Sequence, residues 1–353
     1  MRIRFYRCHL RTRHPFTIAR GTTTIQATLI VELQEDGFSG YGEAADVPFY
    51  GATIGSTVPA LRRAEPEIRR RRLSDPAEFW ESLRDTLHDR PAALGALDCA
   101  AYDLWGKMQH APVWKLWGLD PREACPTDYT IGIDTVDVMV RKLHEFPGWP
   151  VYKIKLGTEH DLAIIRALRE HTDAAFRVDA NCAWTAEQAV ENVFALEPYG
   201  VELVEQPLPP DDRQGMERLR AVSPLPIIAD ESCRFEADVD RCAPLFHGIN
   251  IKLLKCGGLT PARRMIDRAR QLGLHVMVGC FTESSVGISA AAQLLPLLDY
   301  ADLDGALLLA DDTADGVRFD RGRACYPNVD GCGITLREDL ADLEHGLDLD
   351  GNP

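Results

Sequence analysis

A chemically loaded residue recurs through the second half of this chain at a nearly constant interval. Lys155, Asp179, Glu205, Asp230, Lys252, Cys280 and Asp304 each close a short apolar run, and successive ones lie 22 to 28 residues apart. One strand plus one crossover helix takes about this length. The runs that carry these residues are predicted strands at Tyr129–Ile133, Val151–Leu156, Ala175–Asp179, Val201–Glu205, Pro226–Asp230, Gly248–Leu253, His275–Gly279 and Tyr300–Asp304. Amphipathic segments such as Glu159–Glu170, Ala186–Leu196 and Pro261–Leu272 fall between them and are predicted helices. Strand–helix alternation implies a parallel sheet, and eight strands imply a closed barrel. The loaded residues then stand at the C-terminal ends of the strands, where such barrels carry their active sites.

The first 125 residues do not share this pattern. Ile3–Leu10, Ile25–Leu33 and Gly40–Ala44 read as strands, with Asp36-Gly37 as a hairpin turn. Ala92–Gln109 reads as a helix whose small and apolar residues recur at helical spacing. The fold class expected is α/β: residues 1–125 as an α+β capping domain, 126–320 as the barrel, and 321–353 as a tail that returns to the cap, with a strand-like piece at Thr335–Arg337 and an acidic end.

Bulk properties narrow the function class. With 45% hydrophobic and 26% charged residues the composition is that of a globular protein, and the net charge of −15 argues against a nucleic-acid or anionic-membrane surface. The run Arg69–Arg72 reads as a solvated helix end. Ten cysteines without a CxxC pair, no signal-like N-terminus and no long apolar run point to reduced thiols in the cytoplasm.

Asp179, Glu205 and Asp230 end three adjacent strands about 4.8 Å apart. Three inward carboxylates that close repel one another unless a cation sits among them, and oxygen ligands suit a hard ion such as Mg²⁺. Lys153 and Lys155 share a strand face, and like-charge crowding is expected to lower their pKa values into a range useful for a general base. Lys252 faces them from the sixth strand. A metal between two opposed bases suits removal of a proton beside a carboxylate, with reprotonation from the other side. Gly257-Gly258 is followed by Thr260-Pro261, which reads as a helix N-cap and first helical position rather than a phosphate loop.

In order and at barrel spacing, Lys153-Ile-Lys155, Asp179-Ala-Asn181, Glu205-Gln-Pro207, Asp230-Glu-Ser232 and Asn250-Ile-Lys252 resemble the enolase superfamily, in its muconate-lactonizing subgroup. Ala96–Lys107 also looks like the helix that precedes the barrel in that family. The resemblance implies a (β/α)7β barrel under a cap, Asp179, Glu205 and Asp230 as Mg²⁺ ligands, Lys155 and Lys252 as acid/base catalysts, and Lys153 as an auxiliary lysine. Lys255 lies in the following loop and is not expected to be a base. Tyr300-Ala301-Asp302-Leu303-Asp304 looks like the Asp-x-Asp element by which dipeptide epimerases hold a substrate ammonium. Phe16, Thr17, Ile18 and Arg20 match the family's mobile loop, and Phe49-Tyr50-Gly51 a second cap loop; both would close over the substrate. Gly279-Cys280-Phe281-Thr282-Glu283 departs from the family's more usual Gly-Ser-Met-x-Glu, so Cys280 and Thr282 are expected to line a pocket of altered specificity, with Cys280 no nucleophile.

The resemblance thus implies an Mg²⁺-dependent epimerase of dipeptides with a small-molecule partner, and leaves homo-oligomerisation open. A lyase of the same subgroup (o-succinylbenzoate synthase or a cycloisomerase) shares the metal and lysines but has no use for the Asp302/Asp304 pair. A non-catalytic scaffold has no use for the complete set of acids and lysines.

Overall fold

The computed structural model describes residues 1–337. It opens with an antiparallel sheet of β1 (Arg2–Ile18), β2 (Gly21–Glu35) and β3 (Phe38–Ala45), in the order β1-β2-β3. The hairpin between β2 and β3 turns at Asp36 (φ 48°) and Gly37 (φ 87°), the two left-handed positions a tight two-residue turn demands. The first hairpin is longer than the sequence reading gave it. Phe16, Thr17 and Ile18 pair with Thr23, Thr22 and Gly21 after a register shift beyond Arg11, so these residues form the end of β1 and not a loop. Cross-strand pairing satisfies backbone groups that an open loop would leave to water. The tip reaches the barrel, where the Ile133 N–H donates to the Thr17 carbonyl at 2.8 Å.

Three helices follow: α1 (Ile54–Arg70), α2 (Pro76–Arg84) and α3 (Pro91–Met108). The arginine run closes α1 as a solvated end, with Arg69 and Arg71 paired to Glu65 and Glu67 one turn back and Arg72 to Asp36. α3 is buried on nearly all sides because it lies between β3 and the barrel. Gly42 makes that contact possible: a Cβ there would sit 2.0 Å from the Ala96 carbonyl oxygen.

The barrel strands are β4 (Tyr129–Ile131), β5 (Val151–Lys155), β6 (Ala175–Asp179), β7 (Val201–Glu205), β8 (Ile227–Ala229), β9 (Gly248–Ile251), β10 (His275–Gly279) and β11 (Tyr300–Asp302). They pair in parallel, in sequence order, and a Thr127–Ala301 bridge crosses the seam between first and last. Alternation sends Ile154, Val178, Val204 and Ile249 outward to the helices. Leu203, Ile228 and Met277 form a separate small cluster within the barrel, with Tyr300 packed against it. Arg177 is buried beside Asp128 (3.1 Å) and Glu202 (2.8 Å). The expected N-cap role of Thr260 is corrected. Helix Leu259–Gln271 starts after Gly258 (φ 116°), and the Thr260 N–H and hydroxyl bond the Asp98 carboxylate of α3 at 2.7 and 2.8 Å.

After β11 the chain forms β12 (Ala314–Asp315), β13 (Arg318–Asp320), β14 (Arg323–Cys325) and β15 (Thr335–Leu336), paired as β12-β15 and β13-β14. The Cys332 N–H donates to Asp103 of α3 at 2.8 Å, and the Val113 N–H to the Gly331 carbonyl at 2.8 Å. At the other end β1 is stitched to the segment after β11 by Arg11–Asp311 (2.7 Å) and a Thr12–Leu309 bridge. The acidic end expected in the tail lies outside the described residues. Among the described residues no helix is long and apolar enough to cross a membrane.

Candidate active site

The C-terminal ends of the barrel strands and the tips of the cap enclose a cavity of about 470 Å³. Phe16, Arg20, Tyr50, Lys155, Lys252, Cys280, Thr282, Asp302 and Asp304 line it. Asp179, Glu205, Asp230 and Lys153 are buried beside these residues at the strand ends. In-register pairing sets Lys155 beside Asp179 and Asp179 beside Glu205, and brings Asp302 opposite Gly279.

Each acid is held by an ammonium group. Lys155 Nζ lies 2.6 Å from Asp179, and Lys252 Nζ 2.9 Å from Asp230. Lys153 Nζ reaches Asp302 and Glu205 at 2.6 Å each and Asp179 at 3.4 Å. Lys255 Nζ is tied to the Asp230 carboxylate at 2.5 Å and to the Asp230, Cys233 and Asn250 carbonyls at 2.6, 3.0 and 3.1 Å. Those four oxygens suit an anchor for the Asp230 loop.

The depressed pKa expected for Lys153 from like-charge crowding is not found. Burial alone would lower Lys153, but Asp302, Glu205 and Asp179 outweigh it and hold the ammonium well above its ordinary range. Lys252 is likewise raised: burial opposes its charge, but Asp230 and Glu205 favour it more. Conversely, Lys252 and Lys255 overcome burial and hold Asp230 well below the usual carboxylate range. Burial and repulsion from Asp179 push Glu205 up to about 7, and burial and Asp302 do the same to Asp304. Burial, Asp302 and Asp304 together push the Cys280 thiol far up, the opposite of an activated nucleophile.

The ligand atoms of the three strand-end acids do not all lie within 4.8 Å of one another. Among the described residues, the metal-ligating side-chain atoms that gather within 4.8 Å of one another belong to Cys280, Asp302 and Asp304. The donors beneath the cavity nevertheless suit a hard cation. They are all oxygens, and Glu205 Oε2 is buried, makes no hydrogen bond and meets the Lys153 ammonium at 2.6 Å. Asn250 Nδ2 fixes the other oxygen of Glu205 at 2.7 Å.

Sequence reasoning missed several contributors. Thr130 on β4 donates its N–H to Asp304 at 2.5 Å and its hydroxyl to Asp302 at 3.4 Å. Glu231 takes a 2.6 Å bond from Arg20, and Phe281 lies 4.8 Å beneath Lys252 Nζ. Glu231 and Phe281 directly follow residues the spacing singled out. Thr130 carries no such signal, because the seam of the barrel alone brings it beside β11.

The chain matches two family descriptions in succession. Residues 2–118 match "Mandelate racemase / muconate lactonizing enzyme, N-terminal domain" and residues 138–340 match "Enolase C-terminal domain-like". It is 48% identical to an L-Ala-D/L-amino acid epimerase of Flavobacterium johnsoniae, covering 93% of this chain and 97% of that one. It is 49% identical to a protein of the same name from Maribacter sp., covering 96% and 100%. Among solved structures, the dipeptide epimerase of Cytophaga hutchinsonii complexed with Mg and D-Ala-L-Val superposes with a TM-score of 0.91 at 28% identity, covering 97% of both chains. A substrate-liganded L-Ala-D/L-Glu epimerase of Bacillus subtilis gives 0.90 at 28% identity, covering 95% and 98%. With its strand-end acids and lysines set under a two-part match that spans nearly its whole length, this chain belongs to the mandelate racemase/muconate lactonizing enzyme family of the enolase superfamily.

Proposed function

We infer that this protein is an Mg²⁺-dependent dipeptide epimerase that inverts the α-carbon of the C-terminal residue. One observation carries the reading: Lys155 on β5 and Lys252, directly after β9, both line the cavity, and the strands bearing Asp179, Glu205 and Asp230 stand between them. Asp179, Glu205 and Asp230 would hold the ion. When bound, Mg²⁺ supplies Lewis-acid stabilisation of the charge that a carboxylate gains as its α-carbon loses a proton.

The protein's own residues do the rest. Lys155, as the neutral amine, takes the α-proton from one face of the substrate and becomes the ammonium, while the Lys252 ammonium delivers a proton to the opposite face and becomes the amine; the roles exchange in the reverse direction. Lys153 stays charged among Asp302, Glu205 and Asp179 and adds positive potential near the reacting carboxylate. Asp302 and Asp304 receive the substrate ammonium, which neutralises the pair that otherwise repels. The hairpin tip with Phe16 and Arg20, and the loop with Tyr50, cover the site and exclude water. Cys280 and Thr282 shape the pocket wall.

The Asp302/Asp304 pair favours this reading over a lyase of the same subgroup, whose substrate brings no ammonium. The same reading divides the chain into a cap (1–125), a barrel (126–320) and a tail (321–353); the bonds of Cys332 and Gly331 to the α3 region support the return of the tail. It places the enzyme in the cytoplasm, working on a free dipeptide without nucleic acid or membrane, a setting in keeping with its charge of −15. The test is incubation with L,L-dipeptides in D₂O with Mg²⁺. A one-dalton gain confined to certain dipeptides supports the reading. No gain with any of them redirects it to the lyase.

A further inference from the structure

Arg20 is the cation that the hairpin tip presents to the cavity, and it is already engaged. Its Nη1 donates to Glu231 Oε1 at 2.6 Å and to the Asn181 carbonyl at 3.3 Å. The Glu231 side chain is 1% exposed and that of Arg20 29%. The Phe49 ring lies 4.3 Å from the guanidinium carbon and covers it. Asp46 places a carboxylate on the cap side of the cavity.

Phe16, Ile18, Val47, Pro48, Phe49 and Tyr50 give that side an apolar stretch, and Thr22, Thr23 and Gln26 add neutral polar groups, so among the described residues no second cation stands there. Rings continue the apolar stretch to the reacting centre. Phe49 meets Tyr50 at 4.9 Å, Tyr50 meets Phe281 at 5.6 Å, and Phe281 lies 4.8 Å from Lys252 Nζ. Phe49 itself is 56% exposed, an aromatic face open at the mouth. Aromatic surface thus connects the reacting centre to a guanidinium already paired with Glu231.

We propose that the subsite for the substrate's C-terminal side chain takes uncharged, apolar side chains, because Glu231 already balances the charge of the Arg20 guanidinium and Phe49 covers one of its faces. This rests on the dipeptide-epimerase reading and names its substrate class. An acidic side chain that approaches Arg20 brings a further carboxylate to a guanidinium whose single charge already faces Glu231, with Asp179 and Asp230 close behind, so the added charge is left poorly compensated in a partly buried site. A methionine side chain of similar length meets no such penalty and gains contact with the rings.

The measurement is kcat/KM for L-Ala-L-Met and L-Ala-L-Glu with Mg²⁺, in the unaltered enzyme and in Glu231→Gln. The unaltered enzyme should favour Met by about tenfold or more, an order of magnitude that one poorly compensated carboxylate readily supplies. In Glu231→Gln the Arg20 charge is released, and the Met/Glu ratio should fall by about tenfold. General damage to the site cancels in a ratio taken within one variant. An unaltered enzyme that uses Glu as well as Met overturns the proposal, as does a ratio unchanged by Glu231→Gln. Exchange with no dipeptide at all removes the underlying reading and the proposal with it, whereas exchange that favours Glu removes the proposal alone.

Discussion

Replacing Lys252 by Met separates proton transfer from folding, because the structure gives the two effects different sizes. Lys252 is buried and its Nζ touches Asp230 at 2.9 Å, but Asp230 keeps the Lys255 ammonium at 2.5 Å. Stripping a buried charge of its partner costs about 3–5 kcal/mol. With Lys255 retained, the loss should be closer to one charged hydrogen bond, about 1.5–3 kcal/mol. A domain stable by roughly 5–15 kcal/mol stays at least about 95% folded after such a loss. A general acid or base contributes about 10²–10⁴ in rate, or roughly 2.7–5.4 kcal/mol of barrier. Epimerisation should therefore fall by about that factor in a protein that still unfolds cooperatively. Proton NMR in D₂O on the L,L and L,D forms of one dipeptide reads the outcome. Interconversion should stop, while α-proton exchange persists for the one enantiomer that Lys155 faces. Interconversion within about threefold of the unaltered enzyme would refute a role for Lys252 in proton transfer, since the least contribution expected is about a hundredfold.

Chelation should abolish activity and Mg²⁺ should restore it; turnover that survives exhaustive chelation removes the ion from the mechanism. Acetylating the dipeptide's N-terminus removes the ammonium, so such substrates should lose about tenfold or more in kcat/KM with the unaltered enzyme. Asp304→Asn should lower kcat/KM for the free dipeptide by a similar factor, and equal turnover of free and acetylated dipeptide would speak against the Asp302/Asp304 site. Gly42→Ala drives a Cβ to 2.0 Å from the Ala96 carbonyl oxygen and should destabilise the cap by about 3 kcal/mol. A thermal midpoint unchanged in that variant would mean that α3 yields more readily than its burial implies.

What the sequence disclosed and withheld follows from the reach of each interaction. The barrel was legible because each strand end carries its own polar residue, and the interval of one strand–helix unit needs no knowledge of the fold. Asp179, Glu205 and Asp230 could be placed side by side for that reason. The charge state of the lysines could not. Lys153 and Lys155 look like repelling neighbours along the chain, but the seam brings Asp302 to within 2.6 Å of Lys153 and reverses the sign of the effect. Phe16 to Ile18 are expected in a mobile loop on the family resemblance alone. Their strand character comes from pairing across the hairpin, after a register shift that local pattern does not reveal. The Arg20–Glu231 bond joins residues 211 apart and has no local trace at all.

The stitching of β1 to the segment after β11 bears on how the molecule is made. Arg11 and Asp311 are 300 residues apart. At roughly 5–20 residues per second, a ribosome needs about 15–60 s to make that stretch. Throughout that interval β1 is the edge of the β1-β2-β3 sheet, and the segment that meets it at Arg11 and Thr12 is not yet synthesised, so the edge is the kind of surface that recruits strands from other chains. Arg2, Arg4, Arg7, Arg11 and Arg13 stand exposed along it. Charges so placed make the edge a poor template, and protect the nascent chain until its own distant segment arrives.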